Sequence, residues 1–457
     1  MHMKKRLLSL LLCLLCSVGL LTACSGLAGG GEESSQQPVL HMIRGTVRER
    51  DARSLTLDVD GTGYLLPLTD DTVIENTLSD ELLPVNSTVS VSYYGDLLFE
   101  DGDTLQSVQV TKVMVERLPE DPALTKAKEL LAAMTMEEKA GQMFIVRCPE
   151  IDGAALAEQY QVGGYILFDR DFADQTAETL QETVASYQDS VKIPLFIAVD
   201  EEGGTVVRAS GYSQFRSAPF ASPQWLYQEG GMDAIVEDAA EKSRFLLDLG
   251  INLNLAPVCD VSADPYDFIY DRAFGQDAEA TADYAAQVTA AMKNAGIGSA
   301  LKHFPGYGNN VDTHTGISYD NRPYEMFRTG DFLPFEAGIR AGANCVLVSH
   351  NIVACMDDEM PASLSAEVHQ ILREELGFAG IIMTDDLVMD AIREYTDNET
   401  AAVTAVLAGN DMICCTDFTE QIPAVIAAVE DGTIPESRLD ESVLRILQEK
   451  IRLGIIS

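Results

Sequence analysis

Eight short runs, "FIVRC", "GYILF", "PLFIAVD", "INLNLAPV", "IGSALKHFP", "CVLVSHN", "GIIMTDD" and "DMICCTD", recur between Phe144 and Asp417. Each is almost continuously apolar rather than alternating, the signature of strands buried on both faces of a parallel sheet. Amphipathic stretches such as "AEATADYAAQVTAAMKNAG" and "SAEVHQILREELG" lie between them. Alternating strands and helices with eight repeats, over about 250 residues or more, predict an α/β fold, a (β/α)8 TIM barrel. An open doubly wound sheet is the rival; it would want a phosphate-cradling GxGxxG after its first strand, and "FIVRCPEIDGA" does not supply one. Ahead of the first run, "MTMEEKAGQM" offers a capping box from Thr135 to Glu138, which predicts a helix start.

The chain before the barrel has a different texture, as its 457 residues suit a large domain plus an accessory one. Residues 39–118 carry period-two runs, "SLTLDVDG", "TVSVSYYGD" and "SVQVTKVMVERL", separated by turn formers, which predict a small all-β module, barrel-like in outline. Nothing catalytic stands out in it, and it reads as a spacer or weak binding module. Residues 24–38 read as a flexible linker, and residues 1–23 as a signal peptide: basic at Lys4, Lys5 and Arg6, then apolar from Leu7 to Leu21, a run short for a membrane span. The ending "LTAC" resembles a bacterial lipobox, which implies lipidation of Cys24 and an extracytoplasmic protein held at the membrane by its lipid alone. The barrel domain is expected over residues 119–457.

With 31 Lys and Arg against 72 Asp and Glu, the formal charge is −41, which repels phosphate backbones and excludes nucleic acid as a partner. Of nine Cys, Cys13 and Cys16 would leave with the signal and Cys24 would carry lipid. Most of Cys148, Cys259, Cys345, Cys355, Cys414 and Cys415 sit in apolar runs, where a reduced Cys behaves as a small hydrophobe. Among these six no CxxC pair suggests zinc, so neither a metal site nor a cofactor is predicted.

Active sites of such barrels lie at the C-terminal ends of the strands. Asp200 ends the third run, Lys302 and His303 the fifth, His350 the sixth, and Asp385 with Asp386 the seventh. Each alone would be read as a helix N-cap; four strands ending this way together point to a site. Alternation sends Asp385 and Asp386 in opposite directions, so one is a candidate nucleophile and the other structural, without saying which. In "GYGNNVDTHTG" the pair Asp312 and His314 has three readings: part of a metal site, an Asp-supported general acid/base, or an idle exposed His.

The segments "VDEEGGTVVR", "DRAFG", "LKHFPGYG", "VDTH", "PASLS" and "GFAGIIMTDDLVM", in this order from about Asp121 to the C-terminus, resemble the β-N-acetylglucosaminidases of glycoside hydrolase family 3. The resemblance implies Asp385 as nucleophile and Asp312 with His314 as an acid/base dyad on a mobile loop. It also implies Asp200, Arg208, Arg272, Lys302 and His303 as the groups that hold a terminal N-acetylglucosamine. Three positions depart from the family pattern: Tyr307 where His is usual, Glu201 where Gln is common, and Thr205 where Arg is common. They bear on aglycone preference and rate. The chain ends soon after the eighth run and a closing helix, so the second α/β domain of the family's larger members is not expected. The implied activity is a retaining exo-hydrolase removing β-linked N-acetylglucosamine from small glycans, such as cell-wall fragments. A phosphorylase that passes the sugar to phosphate, and a non-catalytic wall-glycan-binding lipoprotein, are the alternatives.

Overall fold

The computed structural model describes residues 39–51, 53–76, 83–95, 97, 108–119, 121–308, 310, 318–393 and 395–457. The expected signal segment, Cys24, Asp312 and His314 therefore lie outside the described residues. Two compact units are present, one ending at Pro119 and the other running from residue 120 to Ser457.

The first unit is a six-stranded sheet, ordered β3-β2-β1-β5-β6-β4, built from β1 (Leu40–Arg50), β2 (Ser54–Val59), β3 (Thr62–Pro67), β4 (Val73–Glu75), β5 (Thr88–Tyr94) and β6 (Gln109–Arg117). Neighbours run antiparallel except β4 and β6. Asp60 and Gly61, both with positive φ, make the tight turn between β2 and β3, the geometry whose twist matches that of the flanking strands. Alternate residues, among them Val47, Leu55, Leu57, Val89, Val91 and Val113, form its core.

The second unit contains β7 (Phe144–Arg147), β8 (Gly164–Leu167), β9 (Phe196–Val199), β10 (Leu253–Asn254), β11 (Gly298–Phe304), β12 (Tyr319–Asp320), β13 (Cys345–Val348), β14 (Ile352–Val353), β15 (Ile381–Thr384) and β16 (Ile413–Cys415). Eight of these form one sheet, in the order β15-β13-β11-β10-β9-β8-β7-β16, and they are the eight apolar runs of the sequence. All the strand pairs are parallel. The ring meets between β15 and β16 through a parallel bridge from Met383 to Met412, where the Thr384 amide donates to the Met412 carbonyl at 3.1 Å. β12 and β14 pair separately as a short parallel ribbon.

Because helices cover the outside, most strand residues are fully buried, which is why the runs do not alternate. The expected capping box is formed: the Glu138 amide donates to the Thr135 hydroxyl, and the Thr135 amide to the Glu138 carboxylate. On the side opposite the strand ends considered below, buried Asp411 accepts from the Ile382 amide at 2.9 Å, the Ser442 hydroxyl at 2.8 Å and Arg445 at 3.0 Å, tying the last helix (Glu436–Arg452) to the sheet. The six cysteines from Cys148 onward are free thiols; Cys355 is exposed and the other five are buried. Among the described residues no helix is long and apolar enough to cross a membrane.

Candidate active site

β9 delivers the segment Asp200-Glu201-Glu202 at its C-terminal end, and β11 delivers Lys302 and His303, joined by a cis peptide bond. Lys302 is almost fully buried, with its ammonium 2.5 Å from Asp200 Oδ1 and 2.6 Å from Glu202 Oε1. Glu202 in turn accepts both donors of the Arg272 fork, Nε at 3.0 Å and Nη2 at 2.7 Å. The same Arg272 Nη2 lies 3.2 Å from His303 Nε2, while His303 Nδ1 lies 2.7 Å from Asp260 Oδ2. A guanidinium can only donate, so Nε2 accepts and Nδ1 carries the proton toward Asp260. Asp260 is fixed by backbone donors as well, the His303 amide at 3.1 Å and the Tyr307 amide at 2.8 Å.

Burial opposes ionisation of Glu202, but Lys302 and Arg272 outweigh it and hold the carboxyl well below the usual carboxylate range. Burial likewise works against the Lys302 ammonium, and Asp200 with Glu202 reverses it, raising its pKa. The result is a lattice of alternating charges in which every group is locked by at least one opposite partner, rigid enough to present fixed hydrogen-bonding directions to a ligand.

The glycines of "DEEGG" are required by this packing: Gly203 has φ of 97°, and a Cβ there would lie 2.2 Å from the Ala221 carbonyl oxygen. Glu201 is turned away from the lattice. Its carboxylate accepts from the Arg208 and Ser210 amides and the Ser210 hydroxyl, so it holds the loop in place.

At the end of β15 the two aspartates have different surroundings. Asp386 Oδ1 accepts from the Val388 amide at 3.0 Å and Oδ2 from the Thr416 hydroxyl at 3.1 Å. His350, fully buried, donates from Nε2 to the Asp386 carbonyl at 3.0 Å and accepts at Nδ1 from the Ser363 hydroxyl at 2.7 Å. Burial pushes the Asp386 carboxyl up, against those two hydrogen bonds. Asp386 thus organises the turn and His350 buttresses it. Asp385 is half-buried, its amide donating to the Val348 carbonyl at 3.0 Å and its Oδ1 accepting from the Asp386 amide at 2.9 Å. Asp200 directly follows β9 and Asp385 directly follows β15 in an all-parallel sheet, which places both at the same end of the barrel.

The sequence-derived set therefore divides. Asp200, Arg272, Lys302 and His303 are brought into one network. Arg208 lies apart from it, with its Nε 3.6 Å from Asp169 and its guanidinium 6.0 Å from the Phe168 ring. Tyr307 is buried, edge-on to His303 and tilted against Phe268, so it packs beneath the site. Sequence reasoning missed Glu202 and Asp260. Glu202 stands two residues after Asp200, and Asp260 closely follows the fourth strand in "APVCD", the kind of strand-end acid that had been noted on other strands.

A family model described as the glycosyl hydrolase family 3 N-terminal domain matches residues 135–448. The chain belongs to glycosyl hydrolase family 3. A β-hexosaminidase of Xanthomonas campestris pv. campestris is 36% identical over 235 residues, which is 50% of this chain and 70% of that protein. Among solved structures, a family 3 β-N-acetylglucosaminidase from Paenibacillus sp. is 30% identical with a TM-score of 0.66, over 71% of this chain and 64% of that one. The chain thus spans less than two thirds of that neighbour. A β-glucoside phosphorylase is also similar, at 25% identity and a TM-score of 0.66, over 74% of this chain and 61% of the other.

Proposed function

We propose that this family 3 chain is a retaining exo-β-N-acetylglucosaminidase acting on terminal, non-reducing β-N-acetylhexosamine, with peptidoglycan fragments as its source of substrate. The observation that carries the reading is the buried lattice of Asp200, Glu202, Lys302, Arg272, His303 and Asp260. Of its three carboxylates Asp200 is the one left partly exposed, beside the two charged donors Lys302 and Arg272, an acceptor and donors that complement a sugar's hydroxyl array. The similarity to a β-hexosaminidase and a β-N-acetylglucosaminidase supports the N-acetylated sugar.

In this mechanism Asp385 attacks the anomeric carbon through an oxocarbenium-like transition state while His314, supported by Asp312, protonates the leaving oxygen. The covalent glycosyl-enzyme is then released by water activated by the same imidazole. Asp386 and His350 keep the nucleophile's turn rigid. The lipobox-like "LTAC" supports lipid anchoring through Cys24 outside the cytoplasm, which would bring the enzyme close to wall glycans. The test is hydrolysis of an aryl β-N-acetylglucosaminide by the purified chain beside Asp385→Ala. The expected result is a loss of at least about 1,000-fold in kcat; undiminished turnover in the variant refutes the assignment.

The similar β-glucoside phosphorylase supports a second reading, transfer of the glycosyl group to phosphate. It predicts sugar 1-phosphate in phosphate buffer and none without phosphate.

A further inference from the structure

Arg147 is the last residue of β7, at the barrel end where Asp200 and Asp385 lie. It belongs to an acidic chain, yet among the described residues its guanidinium has no hydrogen bond or ion pair, and its Nε is buried without a partner. The neighbouring carboxylates are engaged elsewhere. Asp171 accepts from the Phe168 amide at 2.7 Å and lies 3.8 Å from Arg170, which also pairs with Glu150 at 2.8 Å; Asp386 is held by Val388 and Thr416. The charge of Arg147 nonetheless lowers the carboxyl pKa of both Asp171 and Asp386, against the larger upward push of burial.

Its guanidinium lies over the Phe168 ring, 4.5 Å from the centroid. Arg208, from the loop after β9, approaches the same ring at 6.0 Å, but it is already engaged, its Nε 3.6 Å from Asp169 and its Nη1 donating to the Val207 carbonyl at 3.3 Å, so Arg147 is the one of the two with an unspent edge. Guanidiniums from the end of β7 and the loop after β9 thus flank the Phe168 ring, which follows β8 between them. Stacking fixes the plane of an arginine and leaves its N–H edge free, the arrangement suited to a bidentate oxyanion. An unpaired buried donor is costly unless a ligand satisfies it.

We infer that Arg147, with Arg208 across Phe168, forms an oxyanion subsite beside the sugar site, for a carboxylate on the aglycone sugar or for free phosphate. The inference rests on the glycosidase reading for the place of the subsite, and its test does not depend on turnover. A lactyl-bearing sugar acid would be oriented as the leaving group; phosphate would be poised as the acceptor of the phosphorolytic reading.

The test is isothermal titration of the full chain, Arg147→Met and Arg147→Lys with three probes: N-acetylmuramic acid, inorganic phosphate and N-acetylglucosamine. Thermal unfolding of each variant verifies that it is folded. The expected result is that one of the two anions binds the parent protein, and that Arg147→Met weakens it by about tenfold or more. That loss should exceed the change for N-acetylglucosamine, with Arg147→Lys keeping part of the affinity. A response to N-acetylmuramic acid assigns the aglycone carboxylate; a response to phosphate assigns the acceptor. If neither anion binds, or both bind parent and variant equally, the subsite is overturned. Hydrolysis of the aryl glycoside by the same preparations reports separately on the glycosidase reading.

Discussion

Glu202 joins two cations with one carboxylate, so more of the site hangs on it than on any group nominated from sequence. In Glu202→Gln, Lys302 and Arg272 keep their charge and lose their common counterion, which costs about 3–5 kcal/mol for a buried pair. A fall in the urea midpoint at pH 7 and a loss in kcat/KM with Asp385 intact are the expected outcomes. The acid limb has a definite sign. Because the folded-state pKa of Glu202 lies below its unfolded value of about 4.3, its contribution is complete above that pH and is lost as pH falls through the folded value. The stability gap between parent and variant therefore narrows when unfolding is repeated at about pH 3, and a constant gap contradicts the assignment.

At the scale of elements, a second charge cluster joins Gly306 and Asn310, which follow β11, to Asp320, Arg322 and Asp331. Arg322 pairs with Asp320 at 2.8 Å and Asp331 at 2.9 Å, Asn310 donates to Asp320 at 2.6 Å, and Gly306 has φ of 119° with Asp331 against it. A Cβ on Gly306 would stand 2.4 Å from Asp331 Oδ1, so the close approach of this carboxylate requires glycine there. Burial pushes Asp331 up to about 6, against the pull of Arg322. An acid with a raised folded-state pKa costs stability as pH rises from its unfolded value of about 3.9 to its folded one. The midpoint of Asp331→Asn minus that of the parent should thus increase between about pH 4 and pH 6 and stay level above, as read by thermal unfolding across that range. A difference that does not vary with pH refutes the shift.

These two clusters mark what the sequence could and could not say. Runs such as "PLFIAVD" and "GIIMTDD" were legible as strands because burial on both faces leaves a continuous apolar record. Strand-end residues were legible as a set because barrel topology collects them. Pairings were not: nothing in spacing tells that Arg272 reaches Glu202, or that Asp260 orients His303, since these contacts span 70 and 43 residues of chain. The choice between Asp385 and Asp386 was equally closed to periodicity, and only the hydrogen bonds of Asp386 show which one organises the turn.

For the whole molecule, the strands of the barrel bring Asp200, Lys302, Arg272 and His303 to one mouth and hold Asp385 at the same end, all within the unit that runs from residue 120 to Ser457. The central claim is that this mouth runs a double-displacement reaction on a β-linked N-acetylglucosaminide. Its stereochemistry is the most direct consequence, because attack by Asp385 and then by water inverts the anomeric carbon twice. Proton NMR of a fresh digest of an aryl β-N-acetylglucosaminide, followed before mutarotation, measures the first-formed sugar. The account predicts the β anomer first; the α anomer first would contradict it.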